Sequence, residues 1–203
     1  MAIHSQTSDE ELMRFYKNGD SKVFSEIFKR HKRSVYNYIL RFTNQKEESE
    51  EIFQEVFIRI HRAAALYEPT AKFKTWMFTI VRNLCIDFYR KKKLRKQESL
   101  DAPLKAGDES SSNRYEIYKD EKPNQEAKNS DVQIAQMIDN ALQQINEDQR
   151  EVFLMREKGG LKFEEIAEVL GVSVNTVKSR MRYAMEALRK IIESSRFKDL
   201  SEQ

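Results

Sequence analysis

The stretch from Leu161 to Arg189, LKFEEIAEVLGVSVNTVKSRMRYAMEALR, constrains this chain more than any other. Glu164 to Leu170 reads as a short helix with Ile166, Ala167 and Leu170 on one face. Gly171 stops it, because glycine takes a left-handed backbone without a Cβ clash. Ser173 is placed to cap a second helix by accepting from a free N–H of its first turn. Along that helix Val174, Val177, Met181, Ala184 and Leu188 recur at steps of three and four and so share a face. The opposite face carries Asn175, Thr176, Lys178, Ser179, Arg180, Arg182 and Tyr183. Amides and guanidinium groups read base edges in a major groove, while hydroxyl and ammonium groups hold phosphates. The pattern is that of a helix-turn-helix whose second helix is the recognition helix. A helix pair that merely packs is the bland alternative. The small Ala167 facing its partner, the glycine at the turn and the cationic outer face favour DNA.

Only five glycines and three prolines occur in 203 residues, and charged residues make up 34%. Such a composition favours long helices over sheets, and the length fits one large or two small domains. No apolar run approaches the roughly 20 residues needed to span a bilayer. The opening MAIHSQTSDEELM lacks the basic start and apolar middle of a signal peptide, so the expected location is the cytoplasm, with no membrane insertion. The single cysteine, Cys85, excludes an internal disulfide and a thiolate-rich zinc site. The net charge of +3 says less than its distribution. Glu47, Glu48, Glu50, Glu51 and Glu55 crowd one segment, and Arg90, Lys91, Lys92, Lys93, Arg95 and Lys96 another. Basic clusters neutralise phosphates, and acidic ones repel DNA and suit a basic protein surface. Either cluster alone reads first as a solvated helix face; together they suggest two kinds of partner.

Taken in order, Ser8 to Asn18 is expected to be helical, with Ser8 and Glu11 at capping-box spacing and Leu12, Phe15 and Tyr16 as its apolar stripe. Ser21 to Phe42 follows, carrying Val23, Phe24, Ile27, Phe28, Val35, Tyr38, Ile39 and Phe42 at helical period. A third helix spans Lys46 to Leu66, with Ile52, Phe53, Val56, Phe57 and Ile60 inside. After the loop Tyr67 to Lys72, marked by Pro69, Phe73 to Lys96 is the most aromatic stretch. Its buried face is expected to be Phe73, Trp76, Met77, Ile80, Val81, Leu84, Cys85 and Phe88. Lys74, Thr75, Thr79, Arg82, Asn83, Asp87, Tyr89 and Arg90 are expected at its edge or outside. Aromatic rings beside a basic stripe can hold unstacked bases, and such stripes are also ordinary core; Trp76 fits either role. Residues 97–130 are polar and without apolar period, so they read as a flexible linker, either a neutral tether or an acidic strand for a basic channel. A second helical domain begins at Asp131, with Ile134, Ala135, Ile138, Leu142 and Ile145 in one helix and Val152, Phe153 and Met155 in the next. Asn146 and Gln149 stand at capping-box spacing, and Phe197 to Gln203 is expected to fray. The expected fold class is all-α, with two helical domains joined by the linker.

This arrangement resembles a bacterial sigma factor of the extracytoplasmic-function (ECF) group, within the sigma-70 family. LKFEEIAEVLGVSVNTVKSRMRYAMEAL is similar to region 4, EESEEIFQEVFIRIHRA to regions 2.1–2.2, and FKTWMFTIVRNLCIDFYRKKK to regions 2.3–2.4. The resemblance implies region 2 over 1–96, the linker over 97–130 in place of region 3, and region 4 over 131–203. It also implies core RNA polymerase as partner (clamp helices and flap), promoter DNA as ligand, an anti-sigma factor as a possible regulator, and no cofactor or metal. Glu51, Gln54, Glu55 and Arg59 then match the polymerase-facing positions. The loop Ala65 to Lys72, with Ala65, Leu66, Tyr67 and Lys72, matches the one that captures a flipped −10 base. Lys74, Thr75, Trp76, Arg82, Asn83, Asp87 and Arg90 match the segment facing the −10 element. Asn175, Thr176, Lys178, Ser179, Arg182 and Tyr183 match the surface facing the −35 duplex. Many relatives carry glycine where Asn175 stands and a basic residue where Tyr183 stands, so the −35 preference does not carry over.

An autonomous helix-turn-helix regulator is the alternative. It would occupy paired half-sites as a dimer, and the acidic third helix, the aromatic and basic fourth helix and the long linker speak against it. An enzyme is not expected, since there is no glycine-rich phosphate loop, no HExxH and no pair of Glu-x-x-His motifs, and His4, His31 and His61 are scattered.

Overall fold

The structure, a computed structural model, describes residues 7–68, 72–100 and 125–201. Among the described residues there are helices and turns and no strand. The chain divides into two compact units, Met1–Ser112 and Asn113–Gln203.

In the first unit, α1 (Asp9–Lys17), α2 (Val23–Thr43), α3 (Lys46–Ala63), a 3-10 turn (Ala64–Leu66) and α4 (Phe73–Leu100) follow one another. The capping box at α1 forms as its spacing predicts: Glu11 N–H donates to Ser8 Oγ at 3.2 Å, and Ser8 N–H donates to Glu11 Oε2 at 3.0 Å. Helix α2 ends at Asn44, in the left-handed region at φ 58°. Helix α4 touches α1, α2 and α3, so it is buried on more than one stripe. That explains two departures from the periodic reading. Phe78 is fully buried, edge-on to Tyr38 at 5.5 Å, although it stands off the expected face. Thr75, expected at the edge, is only 2% exposed. In α1 the buried pair is Leu12 and Met13, with Phe15 and Tyr16 half-buried.

A polar tie fixes α1 on α2. Asp9 pairs with Arg30 at 3.0 Å and with His31 at 2.7 Å, and Arg30 also holds Glu26 at 2.9 Å. Burial alone would raise the Asp9 pKa; the hydrogen bonds and charges of His31 and Arg30 outweigh it, and the net shift is downward. A carboxylate with a lowered folded pKa stabilises above its unfolded value and loses that contribution as pH falls through the folded one. Asp9→Asn is therefore expected to be less stable than the parent near neutral pH and to lose less stability on acidification from about pH 5 to about pH 3. Denaturant melts across that range check it.

In the second unit, α5 (Gln125–Gln144), α6 (Glu147–Glu157) and α7 (Phe163–Leu170) all pack on α8 (Val174–Ser201). Asn146 caps α6 by accepting from Asp148 N–H at 3.0 Å. Leu154 rather than Phe153 enters the core beside Val152 and Met155. Gly171 ends α7 at φ 66°, and Ser173 Oγ accepts from Thr176 N–H at 3.1 Å to start α8. Ile166, Val177 and Ala184 are fully buried in this unit.

Helix α4 runs to Leu100 and α5 begins at Gln125, so both reach into the segment 97–130 read as linker. The remainder, 101–124, lies outside the described residues, as do 69–71 of the loop after α3. Helix α8 continues to Ser201, past Phe197, where fraying is expected from the sequence.

Candidate functional site

Three surfaces collect the residues singled out in the sequence. The first is a groove of about 450 Å³ between α3 and α4. Glu51, Gln54, Glu55 and Arg59 all line it. Their spacing already places them along one side of α3. The opposite wall comes from Leu84, Asp87, Phe88, Lys91 and Lys92 of α4. Asp87, expected to face the −10 element, thus stands in the groove with Glu51 and Glu55. Glu55 accepts from Arg59 at 3.0 Å, and Lys92 holds Glu48 at 2.6 Å. Ile58, which the sequence reading did not pick out, also lines the groove and is 42% exposed. Its signal in sequence was an isoleucine amid charges, off the apolar stripe of α3. Acidic side chains around an exposed aliphatic group suit a basic protein surface with an apolar centre.

The second surface surrounds the end of α3. The 3-10 turn buries Ala64 and leaves Ala65 exposed and Leu66 84% exposed. Tyr67 was expected in the DNA-capturing loop, yet it is buried, with its ring 5.0 Å from Trp76 and 6.0 Å from Phe73. Burial, with the nearby carboxylates of Glu10 and Asp9, pushes its hydroxyl up to about 12. Tyr67 therefore backs Trp76 rather than offering its own face. Trp76 is half-buried, supported by Tyr67 and by Phe73 at 5.8 Å. Part of its ring packs and part remains open. Steps of three, four and seven put Trp76, Asn83, Asp87 and Arg90 on one stripe of α4. Asn83 and Arg90 are exposed there, Arg82 is half-buried on a different stripe, and the buried Thr75 does not reach the surface. Lys72 is exposed and Lys74 half-buried.

The third surface is α8. Asn175, Lys178, Ser179, Arg182 and Tyr183 are exposed. Thr176 is half-buried, with its hydroxyl 2.9 Å from Ser173 Oγ, so it serves the cap as much as the surface. The Arg182 guanidinium lies 4.9 Å over the Tyr183 ring and donates to its hydroxyl at 3.2 Å. That stacking pre-orders a planar cation on an aromatic face. Arg180, on the polar face by sequence, is instead tied to Asp148 of α6 at 2.5 Å. Among the described residues no cluster of His, Cys, Asp and Glu could hold a metal, and no helix is long and apolar enough to cross a membrane.

A helix-turn-helix with a cationic, amide-bearing second helix, in a chain that also carries an acidic groove, defines a DNA-binding transcription protein. Residues 27–95 match Sigma-70 region 2, and residues 135–188 match Sigma-70, region 4. The ECF RNA polymerase sigma factor SigW of Bacillus subtilis is 33% identical over 174 residues, which cover 86% of this chain and 91% of that one. The RNA polymerase sigma-H factor of Pseudomonas aeruginosa is 28% identical, over 93% of this chain and 96% of that one. Among solved structures, CnrH in complex with the cytosolic domain of CnrY has the same fold, with a TM-score of 0.67 at 19% identity over 93% of this chain and 99% of that one. The sigma factor RpoE, in complex with the anti-sigma factor NepR from Bartonella quintana, has a TM-score of 0.63 at 20% identity over 85% and 98%. The chain belongs to the ECF group of sigma-70 family RNA polymerase sigma factors.

Proposed function

We propose that this sigma factor docks on core RNA polymerase through the α3–α4 groove, reads the −35 duplex with α8, and opens the −10 element with the 3-10 turn and the Trp76 stripe of α4. The observation that carries the reading is the groove: Glu51, Gln54, Glu55 and Arg59 line one concavity with the exposed Ile58 among them. Leu66, projecting from the turn, is a suitable apolar group to press against an unstacked base, and unstacking costs a few kcal/mol that such contacts offset. The chain supplies recognition and positioning, while bond-making belongs to the polymerase, and the work is done in the cytoplasm. Residues 1–96 form the polymerase and −10 domain, 131–203 the −35 domain, and 97–130 the tether. Tethering both through the polymerase raises the effective concentration at the second promoter element.

Transcription from a promoter library, with purified core polymerase with and without the chain, tests this reading. Sequence-selective initiation that needs the added chain is the expected result; no dependence on it would overturn the reading. Lys178→Ala is expected to weaken −35 binding by the polymerase-bound protein and to lower the log-affinity against log-salt slope by about one. The helix should stay intact, because alanine is a good helix former. Duplex titrations at several salt concentrations measure both. An anti-sigma factor, of the kind seen with RpoE, would compete for the groove; a titration in which such a regulator and core polymerase bind together would exclude that.

A further inference from the structure

Helix α1 contributes none of the site residues expected from the sequence, yet its polar side chains hold the chain both at the end of α3 and at the start of α4. Glu10 Oε1 accepts from the backbone N–H of Phe73 at 2.8 Å, so a carboxylate caps the first turn of α4. The first N–H groups of a helix have no partner within it, and the helix dipole favours negative charge there. Lys17 Nζ donates to the carbonyl of Tyr67 at 3.4 Å, just past the 3-10 turn. The Tyr16 hydroxyl hydrogen-bonds His61 Nδ1, just before that turn. Glu10 and Lys17 are seven residues apart, so they share a face of α1 about 10 Å apart along its axis. The helix that spans these contacts is itself anchored on α2 through Asp9, Arg30 and His31.

We infer that α1 is a brace for the −10-reading surface, and that Glu10 is a positioning residue for promoter melting. The inference rests on the −10 assignment proposed above. Trp76 sits in the first turn of α4, the turn that Glu10 caps. Without that cap the turn frays, and Trp76 loses its fixed relation to Leu66. A flipped base needs both surfaces in register, so the cost falls on the choice among −10 sequences.

Trp76 is the only tryptophan of the chain, so its fluorescence reports the brace directly. In the full-length protein, Glu10→Ala is expected to raise acrylamide quenching of Trp76. With core polymerase it should reduce the preference for the best −10 sequence over single-base variants on the order of five- to tenfold, the scale of one ordinary hydrogen bond's net contribution. Glu10→Gln keeps an oxygen that accepts the Phe73 N–H and should restore both readouts. Lys17→Ala, at an exposed position, should shift both in the same direction by less. Core polymerase affinity should not change. Unchanged quenching in Glu10→Ala overturns the brace. So does a uniform loss on all promoters accompanied by a lower melting temperature, which is what a purely structural role gives. Trp76→Ala separates the two levels. If it alters −10 preference and Glu10→Ala does not, only the brace fails; if neither does, the −10 assignment falls with it.

Discussion

Replacing Phe78 by alanine is expected to cost about 3–5 kcal/mol and to leave the N-terminal unit at the edge of unfolding. Phe78 is completely buried, edge-on to the equally buried Tyr38, in a helix held by three others. Removing the ring loses its transfer free energy and leaves a cavity that helices anchored on both sides cannot close. A typical domain has only about 5–15 kcal/mol in total. A denaturant melt followed by circular dichroism should show the midpoint collapse, and core polymerase binding should fall with it in proportion to the unfolded fraction. Trp76 lies two residues earlier on the same helix and is half-buried. Its removal should leave a cooperative melt, because the space it vacates opens to solvent. A Phe78→Ala protein that melts like the parent would mean that α4 does not pack on α2 as described.

The local devices were legible because they are written in adjacent residues. Ser8 with Glu11, Asn146 before α6, and Gly171 followed by Ser173 each satisfy backbone groups within a few positions, and each forms. One wall of the groove was legible for the same reason, since Glu51, Gln54, Glu55 and Arg59 repeat at helical spacing on α3. The other wall was not, because the pairing of α3 with Leu84, Asp87 and Lys91 joins distant parts of the chain that no spacing encodes. Periodicity assumes one buried stripe, which suits a helix with one neighbour. Helix α4 has three, so Thr75 was placed at the edge although it is buried, and the buried Phe78 was left off the expected core face. Tyr67 was read by its place after a helix end. Its burial depends on Trp76 and Phe73 folding back over it, and the Glu10 cap on Phe73 links residues 63 apart.

Charge reversal at Glu55 is expected to separate docking from folding. Glu55 and Arg59 form an i, i+4 pair at 3.0 Å, and both side chains are well exposed. Such pairs contribute only about 0.3–0.5 kcal/mol, so Glu55→Lys should melt almost as the parent does. Its consequence for docking is much larger. The new ammonium would stand beside Arg59 in a groove that already holds Lys91 and Lys92. The groove would turn from an acidic surface to a basic one and face a basic partner. Like charges brought together at a desolvated contact cost several kcal/mol, so core polymerase affinity is expected to drop on the order of 30- to 100-fold. A binding titration with fluorescently labelled protein measures it, and a repeat at higher salt should narrow the gap, because screening weakens repulsion between partly exposed charges. Affinity that survives the reversal in a protein that melts normally would move the polymerase contact off α3. The acidic cluster would then be what such clusters usually are, a solvated helix face.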